Sequence, residues 1–232
     1  MTLTLREASA DDRVDWNAFV ASRPEGDLLQ AWSWGEAGAG ESGQRWSRLL
    51  VVDGAGGVRG TAQIETRATS FGRTVLYVPH GPLWDRAASD AAEVLARLLT
   101  GLKAHARKRK GIVLKLDPRG TGDAAADAAV RRVLLSAGER SEHDLQAPTT
   151  RLIDLQAGDD PIAGWHKDAR AEARRAVREG TTVSVDRDGD PAVLDAFHAL
   201  LAETSARSGF RIRSREFLGR LAAPLAASGD WF

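Results

Sequence analysis

Three extended stretches follow one another with barely room to turn between them, and a long helical pattern comes next. Trp46–Asp53 and Val58–Arg67 flank Gly54-Ala55-Gly56-Gly57, a strong hairpin signal, and Arg73–Pro79 follows another turn at Gly72. Connections this short force antiparallel pairing. Residues 87–108 then carry Val94, Leu95, Leu98, Leu99 and Leu102 at helical spacing. Gly111–Asp117 is an apolar run of the kind that forms a buried strand, stopped by Pro118. A long helix between two strands is a crossover, and it lets the second strand lie parallel to the first.

The flanks extend this order. Leu3-Thr4-Leu5 alternates as a strand does, Asp11 and Asp12 can cap a helix running to Ala21, and Gln30–Ala37 predicts a short second helix. After the crossover, Asp123–Ala137 reads as helix and Thr150–Leu155 as extended. The result is β-α-α-β-β-β-α-β-α-β, an α/β (α+β) arrangement whose order is similar to the GNAT acyltransferase fold.

Beyond residue 160 the beginning of that order returns. Pro161–Glu179 predicts a helix ended by Gly180, Thr181–Asp186 a strand, and residues 191–208 and 214–227 two helices. Asp190 to Phe197 (DPAVLDAF) echoes Asp12 to Phe19 (DRVDWNAF), each following an alternating stretch by a polar loop. The expectation is a tandem of GNAT-like domains. Residues 1–160 form the first, and 161–232 form a linking helix and the start of an incomplete second copy. Asp230-Trp231-Phe232 resembles the opening of a further strand, so the chain reads as cut.

Composition removes whole classes of chemistry. Zero cysteines among 232 residues exclude disulfides, thiolate metal sites and a cysteine nucleophile. The five histidines are scattered rather than set at metal spacing, and no G-x-S-x-G or Walker A run occurs. No metal site is expected. Lys and Arg balance Asp and Glu at 32 each, which argues against a DNA-binding protein. The N-terminus lacks the basic and apolar regions of a secretion signal and no long apolar run occurs, so a cytoplasmic chain without stable membrane insertion is expected.

Three features could bind something. Lys103–Lys110 is a basic cluster at a helix end, where cations complement the helix dipole; a polyanion site is the other reading. In Trp165–Arg178, Arg170, Arg174 and Arg178 recur at intervals of four and share one side of a helix. Ala169, Ala173, Ala176 and Val177 form an opposing small apolar stripe able to pack on a sheet. Such a row of guanidinium groups suits phosphate as well as it suits solvent. In Gln30-Ala31-Trp32-Ser33-Trp34, tryptophans two apart cannot share one helical face, so one of them is expected to face a groove or a second domain.

Six segments in order then resemble the Fem (FemABX) family of peptidoglycan-bridge aminoacyltransferases: LLQAWSWGEA (28–37), YVPHGPLWD (77–85), LKLDP (114–118), QAPTTRLIDL (146–155), WHKDARAEARRAVREGTTVSV (165–185) and FHALLAETSARSGFRIRS (197–214). The resemblance implies tandem GNAT-like domains. It also implies transfer of an amino acid from aminoacyl-tRNA to the stem peptide of a UDP- or lipid-linked muropeptide, with no cofactor. It places Arg170 and Arg174 at the precursor's phosphates, and Tyr77, His80 and Gly81, with Gln30 and Trp34, along the cleft. Ala37 stands where relatives often carry lysine, and His80 where Arg or Lys is common. Transition-state residues are expected beyond Phe232. The alternatives are a GNAT-like N-acyltransferase using acyl-CoA or another activated donor, and a non-catalytic remnant. Tyr77–Leu83 stands where a CoA pyrophosphate loop would lie, and its prolines remove amide donors.

Overall fold

The computed structural model describes residues 2–39, 43–147 and 162–229. Two compact units are present, Met1–Ser141 with Arg187–Phe232, and Glu142–Asp186.

In the larger unit the strands are β1 (Leu3–Glu7), β2 (Gln44–Asp53), β3 (Val58–Ala68), β4 (Thr74–Val78), β5 (Leu83–Trp84) and β6 (Gly111–Leu116). They form one mixed sheet in the order β1-β2-β3-β4-β6, with β5 beside β3. β1 to β4 pair antiparallel, whereas β6 runs parallel to β4 with Val78 opposite Leu116. The helices before the crossover are α1 (Arg13–Ala21) and α2 (Trp32–Gly38), and the crossover itself is α3 (Ala91–Lys108). α4 (Ala124–Ala137) follows β6, with the Asp123 carboxylate accepting from the Ala125 and Ala126 amides at its start.

Two apolar cores lie on this sheet. One packs Val94, Leu95, Leu98 and Leu102 of α3 on Val51, Ile64, Leu76 and Val78. These α3 residues repeat at three and four positions, so a single stripe of the helix is buried. The other gathers Trp16, Val20, Trp32, Leu50 and Leu83, with the Trp16 and Trp32 rings edge to face at 5.8 Å. The hairpin between β2 and β3 turns where expected, its Asp53 carboxylate accepting from the Ala55 and Gly57 amides.

Three expectations need correction. Thr181–Asp186 forms no strand. The segment joins no sheet among the described residues, and its alternation leaves Val183 and Val185 at 89% and 61% exposed. β6 is not fully buried: among the described residues it is a sheet edge, and Ile112 and Val113 face solvent. The helix expected from residue 161 is shorter. α5 (Lys167–Arg178) is capped by His166, whose ring accepts from the Asp168 amide, and none of its residues is buried, so the alanine stripe packs on no sheet among the described residues of its unit. Its end is as expected, with Gly180 in the left-handed conformation and the Thr181 amide bonded back to the Ala176 carbonyl. Residues 150–155 and 230–232 lie outside the described residues.

The echoed helices do form. α6 (Pro191–Ser208) and α7 (Arg215–Ser228) are joined by Arg215, which bonds Asp195 and the Pro191 carbonyl. α7 lies against α2 and buries Leu218, Ala222 and Leu225. Of the strand, helix and helix expected after residue 180, the structure forms the two helices. No helix among the described residues is long and apolar enough to cross a membrane.

The buried His105 ring lies 3.0 Å from the Ser47 hydroxyl, and burial, Arg109 and Lys108 push its pKa down. The unfolded chain therefore takes up the proton more readily than the native one. This contribution to stability is complete above the ordinary histidine pKa of about 6.5 and is lost as pH falls below it. Urea midpoints measured between neutral and mildly acidic pH should fall, and the fall should be shallower in His105→Gln. Parallel profiles for the two proteins would remove this account.

Candidate functional site

β4 and β6 are parallel and leave the sheet side by side, so the loops after Val78 and Leu116 emerge at one place. Carboxyl ends of adjacent parallel strands are where open α/β sheets hold ligands. The loop after β4 is a turn with Pro79 second and His80 third, closed by the Gly81 amide donating to the Val78 carbonyl at 3.3 Å. His80 has φ +48°, a conformation favoured by glycine. A bulky side chain in that position is held by its surroundings.

What holds it is a second loop. The His80 Nδ1 atom is buried 2.9 Å from the Asp27 carboxylate. Burial raises the Asp27 pKa, but His80, the Leu29 amide and Arg119 outweigh it and hold the carboxyl below its usual range. Arg119 belongs to the loop after β6 and reaches both Asp27 and the Gly26 carbonyl. That loop also touches the first one: the Asp117 amide donates to the Gly81 carbonyl, and the Tyr77 hydroxyl donates to the Asp117 carboxylate at 2.9 Å. Arg86 completes the ring of contacts through the buried Glu25, Asp127 and the Arg119 carbonyl. Three loops are therefore bound to one another by side chains.

Gln30 sits beneath them, fully buried. Its amide nitrogen donates to the Pro79 carbonyl at 2.6 Å, its amide oxygen accepts from the Gln63 amide, and its own carbonyl accepts from the Trp16 indole. A Cβ on Gly81 would come within 2.7 Å of the Gln30 side chain, so glycine is needed for this approach. Gln63 passes the network onward to Arg48. Arg48 stacks on the Trp32 ring at 3.9 Å, donates to the Trp32 carbonyl, and has its pKa lowered to about 10 by burial.

The structure thus brings Gln30, Tyr77, His80 and Gly81 into one cluster. Gln30 and Tyr77 are buried, and His80 keeps part of its ring at the surface. Trp32 is buried in the core, while Trp34 is half-buried on α2. Arg170 and Arg174 stand on α5 in the other unit. There the Arg170 guanidinium donates to the Ala163 and Trp165 carbonyls, and Arg174 is exposed. Sequence reasoning missed Asp27, Asp117, Arg119 and Gln63. Asp117, in the LKLDP segment, was within reach because a carboxylate just past a strand end faces the ligand side of a parallel pair. Gln63 carried no signal, since only the fold sets it against Gln30.

A mixed sheet of four antiparallel strands, a crossover helix and a parallel strand, with side chains gathered at the mouth of the parallel pair, defines a GNAT-like α/β module. The FemAB family model matches residues 12–130, and the chain belongs to the FemAB family. Lipid II:glycine glycyltransferase of Staphylococcus aureus is 29% identical over 224 residues, covering 92% of this chain and 51% of that protein. The protein of that name from the bovine strain RF122 / ET3-1 is 28% identical over the same length. The chain spans about half the length of these curated relatives. Among solved structures, a transcriptional regulator from Bacillus halodurans C-125 aligns with a TM-score of 0.46 at 13% identity, over 64% of this chain and all of that one. Ribosomal-protein-alanine N-acetyltransferase from Brucella melitensis biovar Abortus 2308 aligns with a TM-score of 0.46 at 14% identity, over 66% of this chain and all of that one.

Proposed function

We propose that this chain is the precursor-binding portion of an aminoacyltransferase that builds peptidoglycan bridges, moving an amino acid from aminoacyl-tRNA to a stem-peptide amine. The observation that carries the reading is similarity to a lipid II:glycine glycyltransferase along 92% of the chain. The ester donor is already activated, so the chemistry needs alignment and charge stabilisation and no covalent nucleophile. The acceptor amine attacks the ester carbonyl. The tetrahedral intermediate then collapses to an amide and expels the ribose oxygen, which takes up a proton as the amine loses one.

In this reading Arg170 and Arg174 hold the precursor's phosphates, and the Tyr77–Gly81 loop and Trp34 bound the acceptor. His80 receives the amine proton. Its Nδ1 is buried 2.9 Å from the Asp27 carboxylate, so the exposed edge of the ring carries Nε2. The tandem of two GNAT-like domains belongs to the same proposal. An acyl-CoA donor fits the β4 loop poorly. Pro79 and Pro82 have no amide hydrogen, and the Gly81 amide is spent on Val78.

The test is transfer of labelled amino acid from charged tRNA to a UDP-linked or lipid-linked muropeptide, by this chain and by any longer protein containing it. Bridge-extended precursor is the expected product. Absence of product with every charged tRNA, or saturable CoA binding in calorimetry, would refute the assignment.

A further inference from the structure

At the opposite end of β4 from the proposed site, the turn between β3 and β4 holds Phe71 wholly in solvent, 100% exposed, with φ +61°. The turn is a closed one, the Thr69 amide donating to the Arg73 carbonyl at 2.8 Å. An aromatic ring here gains no packing, and its backbone is in the region that disfavours bulky side chains. Folding therefore gives no reason for phenylalanine at this position.

The surroundings are basic. β4 begins against the end of the α3 cluster, its Thr74 amide donating to the Lys110 carbonyl and its hydroxyl to the Arg109 carbonyl at 2.7 Å. The start of β2 lies alongside, Arg45 opposite Thr66 and the Gly43 carbonyl accepting from Ala68. Arg45, Arg73, Arg107 and Lys110 are exposed and Arg109 half-exposed. The carboxylates nearby are engaged elsewhere: Glu65 pairs with Arg67, and Glu7 lies near His105 and Lys108. Among the described residues, those five cations stand outside any ion pair. The field of one of them, Arg109, also reaches the interior, where it adds to burial in depressing the His105 pKa.

We propose that this end of the module is a contact surface for an anionic lipid bilayer, with Phe71 entering the interfacial region and the five basic side chains meeting the headgroups. Charge complementarity and a single fully exposed ring select a bilayer over a folded nucleic acid. A polyanion would be met by the cations but gives a ring on a protruding turn tip no groove to fill. β4 spans five residues, roughly 17 Å of strand, between this surface and the Tyr77–Gly81 loop, so contact here leaves that loop open. The inference does not depend on the reaction proposed above.

Flotation of this chain with phosphatidylcholine vesicles, with and without phosphatidylglycerol, tests it. Binding is expected only to the anionic vesicles and should weaken with added salt. Phe71→Gly should lower partitioning about tenfold without lowering the unfolding midpoint, because glycine accepts the positive φ. Arg73→Gln and Lys110→Gln should each lower it about fivefold. Three outcomes overturn the proposal: no preference for anionic vesicles, full binding by Phe71→Gly, or binding of an RNA oligonucleotide through these cations with no vesicle binding.

Discussion

Replacing Gln30 with alanine is expected to destabilise the fold by about 3–5 kcal/mol, read as a lower urea midpoint with an unchanged slope. The reason is accounting at two buried partners. The Pro79 carbonyl and the Gln63 amide each lose a hydrogen bond that no water reaches. Each orphaned group costs about 1–3 kcal/mol, and the space left by the side chain adds a cavity cost. Gln30→Leu separates the two: it fills the volume and still strands both groups, so it should recover only part of the loss. Full recovery with leucine would mean that packing, not the amide network, supports the Pro79–Pro82 turn.

Arg174→Ala should weaken binding of a UDP-linked muropeptide by about ten- to a hundredfold, the range for one charge-assisted hydrogen bond lost. Arg170→Ala should act differently. Its guanidinium already donates to the Ala163 and Trp165 carbonyls, so removing it loosens the start of α5 before it removes a ligand contact. Circular dichroism should therefore register Arg170→Ala more than Arg174→Ala, and calorimetry the reverse. Equal affinity of Arg174→Ala and the unaltered chain for the muropeptide would end the phosphate assignment on α5.

The elements most legible in the sequence were those specified locally. Gly54–Gly57 imposes a hairpin by itself, and the Val94–Leu102 stripe imposes both a helix and its buried side. Gly180 and Gly209 likewise end their helices from backbone conformation alone. Thr181–Asp186 misled because alternation states only what a strand would look like if a partner came. The candidate site was half legible. Tyr77, His80 and Gly81 were named through the resemblance of their segment to the Fem family, whereas Asp27, Gln63 and Arg119 are brought to them only by the fold, Arg119 bonding Asp27 across 92 positions of sequence. Nothing in a linear pattern reports such convergence. The Gln30 side chain makes the same point in reverse, since its neighbours in sequence suggested a groove and its neighbours in space enclose it.

The mutual bracing of the three loops has a consequence for how such a module diversifies. A substitution at Asp27, His80 or Arg119 is felt by the other two, so single changes are poor steps toward a new acceptor and compensated sets are favoured. Related chains should therefore differ at these positions as blocks. Shuffling a whole block between relatives should retain preference more faithfully than grafting any one of its members.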